Sequence, residues 1–134
     1  MATLRQKRAR IYKDFDLSFG VNSITGDINK KLDVNAVKQA MKSLILTQRF
    51  ERPFQPFLST ELAGLLFENP SMFTADKIRV TILNVLDNYE KRAKVSSVEV
   101  YPYLDENRYD VKIFFEVVGI NQPEELQIKL ERLR

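Results

Sequence analysis

The sequence predicts an α+β domain: three helices followed by a small antiparallel β-meander, with one sheet edge available for strand addition. Three observations predict it. Apolar residues recur at helical spacing in three separate segments between residues 33 and 91. From about Val95 onward the period changes to two. Helices gathered at the front and strands at the back fit an α+β arrangement rather than an alternating parallel one. A length of 134 residues suits one domain. The expected division is a basic, turn-rich lead-in over 1–32 and a single domain over 33–134.

Residues 14–32 are turn-rich, with two short extended pieces expected near 17–21 and 27–31, joined through Asn22 to Gly26. Asp33 is a suitable N-cap for a helix running to about Gln48. Val34, Val37, Met41, Leu44 and Ile45 form its apolar stripe. Residues 49–58 cannot continue it. Pro53 and Pro56 each remove a backbone donor and push the preceding residue toward extended conformations. The stretch is expected to be a rigid connector whose phenylalanines pin it to the core, while Arg49, Glu51 and Arg52 face water or a neighbour.

Ser59 is expected to cap a short helix from Thr60 to Phe67, with Leu62, Leu65 and Leu66 inward and Asn69-Pro70 ending it. Thr74 is expected to cap the third helix, and Asp76 complements its dipole. Ile78, Ile82, Val85, Leu86 and Tyr89 form its stripe up to about Lys91. Val98 and Val100 then alternate with Glu99 and Tyr101, giving a strand over 95–103. After the turn at 104–107, Tyr109, Val111, Ile113, Phe115 and Val117 mark a longer strand. The tail reads two ways. Leu126, Leu130 and Leu133 fit a helix, whereas Leu126, Ile128 and Leu130 alternate strictly with Gln127, Lys129 and Glu131. A third strand completes the meander. Its edge is either blunted by Lys129, Glu131, Arg132 and Arg134 or left for a partner to complete.

Composition narrows the chemistry. There is no cysteine, hence no disulfide or thiolate, and no histidine, the commonest general base and metal ligand. No apolar run approaches the roughly 20 residues of a membrane span, and no secretory pattern follows the basic start. The protein is therefore expected to be made in a reducing interior. Four scattered glycines form no phosphate loop. Asp14/Asp16 and Asp105/Glu106 read as turn and surface acids rather than metal ligands. A carboxylate-based muramidase would draw on Glu51, Glu61, Glu68 or Glu90. Glu51 and Glu90 each lie beside bases, which lowers a carboxylate pKa and suits ion pairs better than a general acid.

Charge is uneven. Residues 1–67 carry 11 lysines and arginines against 6 acids, and residues 68–134 carry 10 against 12. Arg5, Lys7, Arg8, Arg10 and Lys13 precede the first acid, Asp14. Such an arm is either a solvated terminus or a contact for an acidic protein surface. Nucleic-acid binding is the lesser reading, because no aromatic interleaving accompanies the charges.

The ordered set Arg52-Pro53-Phe54-Gln55-Pro56-Phe57, then Leu65-Leu66-Phe67-Glu68, then Tyr89-Glu90-Lys91-Arg92 and two strands resembles the baseplate wedge and sheath-initiator family of contractile phage tails. That family was once described as lysozyme-like and has counterparts in type VI secretion baseplates. The resemblance runs from Asp33 to the C-terminus. Two positions depart from it: Leu58 stands where glycine is usual, and Lys91 stands where proline is usual. Lysine keeps its donor and free φ, so the third helix is expected to run up to a turn longer.

The resemblance implies a structural virion component without catalytic, cofactor or metal residues, located in the tail baseplate and assembled in the host cytoplasm. It implies contact with tail sheath protein and neighbouring wedge proteins, and with tail tube or hub proteins, but with no small-molecule substrate and no membrane. Its job would be to join the wedge core to the first sheath ring and template the sheath by strand addition. A type VI or other contractile injection baseplate is the alternative. The partner-binding residues implied are Arg52, Tyr89, Glu90, Lys91 and Arg92 at the helix end, and Leu126, Ile128 and Leu130 on the last strand. Glu90 and Arg92 either bind a partner through charge-assisted hydrogen bonds or tie helix to hairpin locally.

Overall fold

The structure, a computed structural model, describes residues 12–132. Among them the chain forms β1 (Lys13–Phe15), β2 (Lys30–Leu32), α1 (Val34–Leu46), α2 (Leu62–Phe67), α3 (Met72–Tyr89), β3 (Ala93–Tyr103), β4 (Arg108–Val117) and β5 (Pro123–Glu131). The class is α+β and the last three strands are the expected meander, in the order β3-β4-β5 and antiparallel throughout. One feature differs from the expected order. A two-stranded antiparallel ribbon, β1 with β2, precedes the helices. β1 lies before the piece expected at 17–21, whereas β2 overlaps the end of the piece expected at 27–31, and Val21 and Ile28 form an isolated bridge between the two expected pieces. Most of the basic arm, residues 1–11, lies outside the described residues.

The core forms where the helical stripes meet one face of the sheet. Val37, Met41 and Ile45 of α1, and Ile78, Ile82 and Leu86 of α3, pack on Tyr109, Val111, Ile113, Phe115 and Val117 of β4. These five β4 residues alternate, so one face of the central strand is dry. Ile128 and Leu130 of β5 complete that face. The tail is thus a strand, and Leu126, Ile128 and Leu130 point inward.

Four local expectations change. Asp33 sits at the N-cap of α1, but its side chain makes no cap bond. Its Oδ1 accepts from the Tyr12 N–H (3.3 Å), and its own N–H donates to the Tyr12 carbonyl (2.8 Å). Ser59 caps nothing, since α2 starts at Leu62 with Glu61 before it. Thr60 is buried instead. Its hydroxyl donates to the Ile45 carbonyl (2.6 Å) and its N–H to the Thr47 carbonyl (3.2 Å), closing the connector onto the end of α1. The N-cap of α3 is Ser71, not Thr74: Ser71 Oγ accepts from the Thr74 N–H at 3.1 Å. The extension allowed by Lys91 does not occur. Glu90, at φ −112° and ψ 80°, ends α3 immediately after Tyr89.

The connector also differs. Phe50, Phe54 and Phe57 do not pin it to the core; all three are exposed. Phe50 and Phe54 each sit at φ 66°, and turns at left-handed residues direct the rings outward. Leu58 is not at positive φ, so the backbone here does not require the usual glycine. The Arg49 guanidinium lies 5.2 Å from the Phe50 ring, a partner Phe54 lacks. A bulky residue at positive φ is strained by about 1 kcal/mol or more, and asparagine adopts that region readily. Phe54→Asn is therefore expected to raise the unfolding free energy by about 1 kcal/mol, read from the urea midpoint at constant slope. A lowered midpoint would mean that the ring stabilises the fold despite its exposure.

Candidate functional site

Two features stand out: a cleft at the end of α3 and the open edge of the meander. The cleft has a volume of about 470 Å³ and lies among β1, α1, the connector and the α3 C-terminus. It brings together Arg52, Tyr89, Glu90 and Arg92, four of the five helix-end residues singled out in the sequence.

The geometry at its floor follows from where α3 stops. Glu90 donates its N–H to the Leu86 carbonyl (3.0 Å) and then leaves helical geometry, which turns Arg92 back over the Glu90 carboxylate. The pair is bidentate: Arg92 Nε to Oε1 at 2.8 Å and Nη2 to Oε2 at 3.0 Å. The Arg92 backbone N–H adds a third bond to Oε1 at 3.2 Å. Glu90 is only 5% exposed, so its charge is held almost wholly by Arg92. The second face of the guanidinium meets Asp14 of β1, with Nη1 to Oδ2 at 3.0 Å, and the Tyr12 ring lies 5.7 Å away. Hydrogen bonds to Glu90, and then to Asp14, hold the Arg92 pKa above its ordinary value, so the group stays charged at any working pH.

The same node reaches the sheet. The Val118 N–H donates to the Arg92 carbonyl (2.9 Å), and Tyr12 Oη donates to the Val118 carbonyl (3.0 Å). One arginine therefore joins α3, β1 and the end of β4. Nothing in the sequence flags Asp14 and Tyr12 as its partners, because Asp14 lies 78 residues away.

The other helix-end residues face outward. Tyr89 leaves the core stripe expected for it, and its hydroxyl lies 3.4 Å from the Phe57 carbonyl. Lys91 folds back to the Asp87 carbonyl at 2.6 Å. Arg52 makes only a 3.4 Å contact to Ser43 Oγ and, among the described residues, forms no ion pair. It is a part-exposed cation with free donors at the cleft, whose lining also includes exposed Phe15 of β1 and Leu17 just after it.

The edge is the second feature. β3 and β5 are the two outer strands of the meander. β3 carries a register shift between Val95 and Ser97 and a proline at position 102, two devices that blunt an edge. β5 has a continuous register with β4 from Pro123 to Glu131, and its only proline is its first residue. Its outward side chains, Glu125, Gln127, Lys129 and Glu131, are exposed.

Of the carboxylates weighed for chemistry, Glu61 pairs with Arg49 (2.9 Å) and Glu68 with Lys77 (3.3 Å), both on the surface. Glu51 accepts from the Gln48 N–H (2.7 Å) and Glu90 is closed by Arg92. Among the described residues no cluster of acids has metal-site geometry, and no helix is long and apolar enough to cross a membrane.

No family model matches the chain. A Geobacter sulfurreducens protein provisionally described as a tail lysozyme has the same fold, with TM-score 0.67, 20% identity, and coverage of 73% of this chain and 89% of that one. A chain of the anti-feeding prophage baseplate superposes with TM-score 0.61 at 16% identity, over 92% of this chain and 87% of its own. The fold is thus a small α+β module shared with a chain of the anti-feeding prophage baseplate. Over 123 residues, 91% of each chain, the sequence is 32% identical to the baseplate wedge protein gp25 of Enterobacteria phage T4. The chain belongs to that family of phage baseplate wedge proteins.

Proposed function

We propose that this chain is a non-enzymatic wedge component of a contractile phage tail baseplate. It joins the wedge core to the first sheath ring and templates sheath assembly by accepting strands at β5. The observation that carries the reading is the asymmetry of the meander's two edges: β3 is interrupted by a bulge and Pro102, whereas β5 runs in unbroken register. An unblunted edge invites β-augmentation, in which several main-chain hydrogen bonds of about 0.5–1.5 kcal/mol each hold the added strand. Such a joint survives large rigid-body rotations better than a flat side-chain interface.

The helix-end cleft is the docking side for neighbouring wedge proteins, with tail tube or hub proteins as further neighbours in the assembled baseplate. Arg52 offers donors to a partner carboxylate, and Tyr89 and Lys91 flank it. Glu90 and Arg92 act mainly by fixing the shape of that surface. Leu126, Ile128 and Leu130 support the edge from beneath. The closed or surface-paired state of Glu51, Glu61, Glu68 and Glu90 supports a structural role over a muramidase.

Baseplates assembled without this chain are expected to fail to nucleate sheath, and full-length sheaths on such baseplates would overturn the reading. The absence of native cysteines allows a finer test. A single cysteine at Gln127 is expected to cross-link to sheath protein in assembled tails, whereas one at Tyr89 cross-links to a wedge neighbour.

A further inference from the structure

We propose that β5 selects its incoming strand by side chain as well as by backbone: the strand carries an acidic residue beside Leu126 and a branched apolar residue beside Leu130. The inference rests on the strand-addition reading above and adds the chemistry of the partner segment. Two hollows lie between β5 and the helices, and they meet at Leu46, which lines both. Leu46 is 50% exposed at the end of α1, an apolar side chain left uncovered between them.

The first hollow, about 640 Å³, has Leu126 on one side and Lys31, Lys38 and Lys42 on the other. Its acids are engaged. Asp16 pairs with Lys31 (3.4 Å), and Glu51 accepts from the Gln48 N–H (2.7 Å). Lys38 is paired with Glu124 at 2.9 Å. Lys42 is exposed. Counting Glu124, three lysines meet three acids here, and Lys42 is the one of the three lysines that forms no ion pair among the described residues. The second hollow, about 550 Å³, is walled by Ile45, Leu46, Leu62, Leu66 and Leu130. It suits an apolar side chain.

Side chains of a strand alternate between faces. A strand laid against β5 therefore sends every second side chain toward the helices, level with Leu126, Ile128 and Leu130. The residues beside Leu126 and Leu130 are four positions apart on the incoming strand, about 13 Å. An acid at the first meets Lys42, and a leucine or isoleucine at the second fills the apolar hollow. The residue between them passes over Leu46.

The probes are synthetic nine-residue extended peptides with threonine outward and Glu, Val and Leu as the three central inward residues. Each is made in both sequence orders to serve either strand direction, with Lys-for-Glu versions as controls. They are titrated into the full-length protein, following amide hydrogen exchange along β5 together with affinity. The acidic peptide in one order is expected to protect β5 and to bind roughly fivefold more tightly than its lysine control. Lys42→Glu should invert that preference, and Leu46→Ser should weaken both peptides. Protection of β5 with equal affinities, or a preference that Lys42→Glu leaves unmoved, overturns the side-chain code while strand addition stands. Failure of every peptide to protect β5 counts against strand addition itself.

Discussion

Replacing Arg92 with alanine is expected to destabilise the isolated protein by about 3 kcal/mol, because it leaves a buried carboxylate without its partner. Glu90 is 5% exposed and takes three hydrogen bonds from the one residue. The backbone donor survives the substitution, but the two guanidinium bonds and the compensating charge do not. Asp14 loses the same partner, though it is more exposed and can be solvated, so it adds less. Arg92→Lys is expected to recover only part of the loss, since an ammonium cannot make the fork to both Glu90 oxygens and still reach Asp14. Urea unfolding of the purified chain measures this directly. A loss under 1 kcal/mol would mean that the motif is not a structural tie and would return Arg92 to a partner-facing role. The distinction matters for any assembly defect in an Arg92 variant: such a defect would follow first from a misplaced β1 and a loosened helix end.

The elements legible in the sequence are those whose burial shows as a period. Of the α1 stripe, Val37, Met41, Leu44 and Ile45 are buried as expected and Val34 is half-buried; Ile78, Ile82, Val85 and Leu86 of α3 and the alternating residues of β4 are buried too. The tail was ambiguous because Leu126 and Leu130 serve both periods. Ile128, which fits only the strand, agrees with the outcome, since it pairs with Val111. The start of α3 shifted by a few residues, because Ser71, three residues before the expected Thr74, supplies the cap.

Two things were not legible. Side-chain partners far apart in sequence leave no local trace, so Asp14 read as a turn acid although it completes the Arg92 node. Exposure of the connector rings was also hidden. Phenylalanine between prolines ordinarily argues for burial, but the direction of a ring depends on φ, and the left-handed turns at Phe50 and Phe54 reverse it. Of the ribbon, the piece expected at 27–31 overlaps β2, but β1 was missed, because a strand of three residues is too short for a period to show. Of the candidate site, Arg52 and residues 89–92 were singled out through the family resemblance, and only the fold shows that four of them line one cleft.

Ile113→Ala is expected to destabilise the protein by about 4 kcal/mol, the upper part of the range for removing an aliphatic side chain from a site that cannot collapse. Ile113 is fully buried at the middle of the central strand, directly opposite Val98 of β3 and Leu126 of β5. Its neighbours are backbone-fixed on both sides and cannot move into the void without breaking two ladders. A domain stability of about 5–15 kcal/mol makes such a loss a large fraction of the total. The damage should not be uniform. β3 and β5 each have β4 as their one ladder partner among the described residues, but β3 packs along α3 more extensively than β5 does along α1. Native-state hydrogen exchange should therefore show β5 amides losing protection before those of β3 and α3. Glu125→Ala, an exposed change on the same edge, should stay within about 0.5 kcal/mol of the parent. Uniform loss of protection across all three strands would show that the meander opens as one unit. The β5 edge would then be as stable as the core beneath it, and the strand addition proposed there would have to occur without local opening.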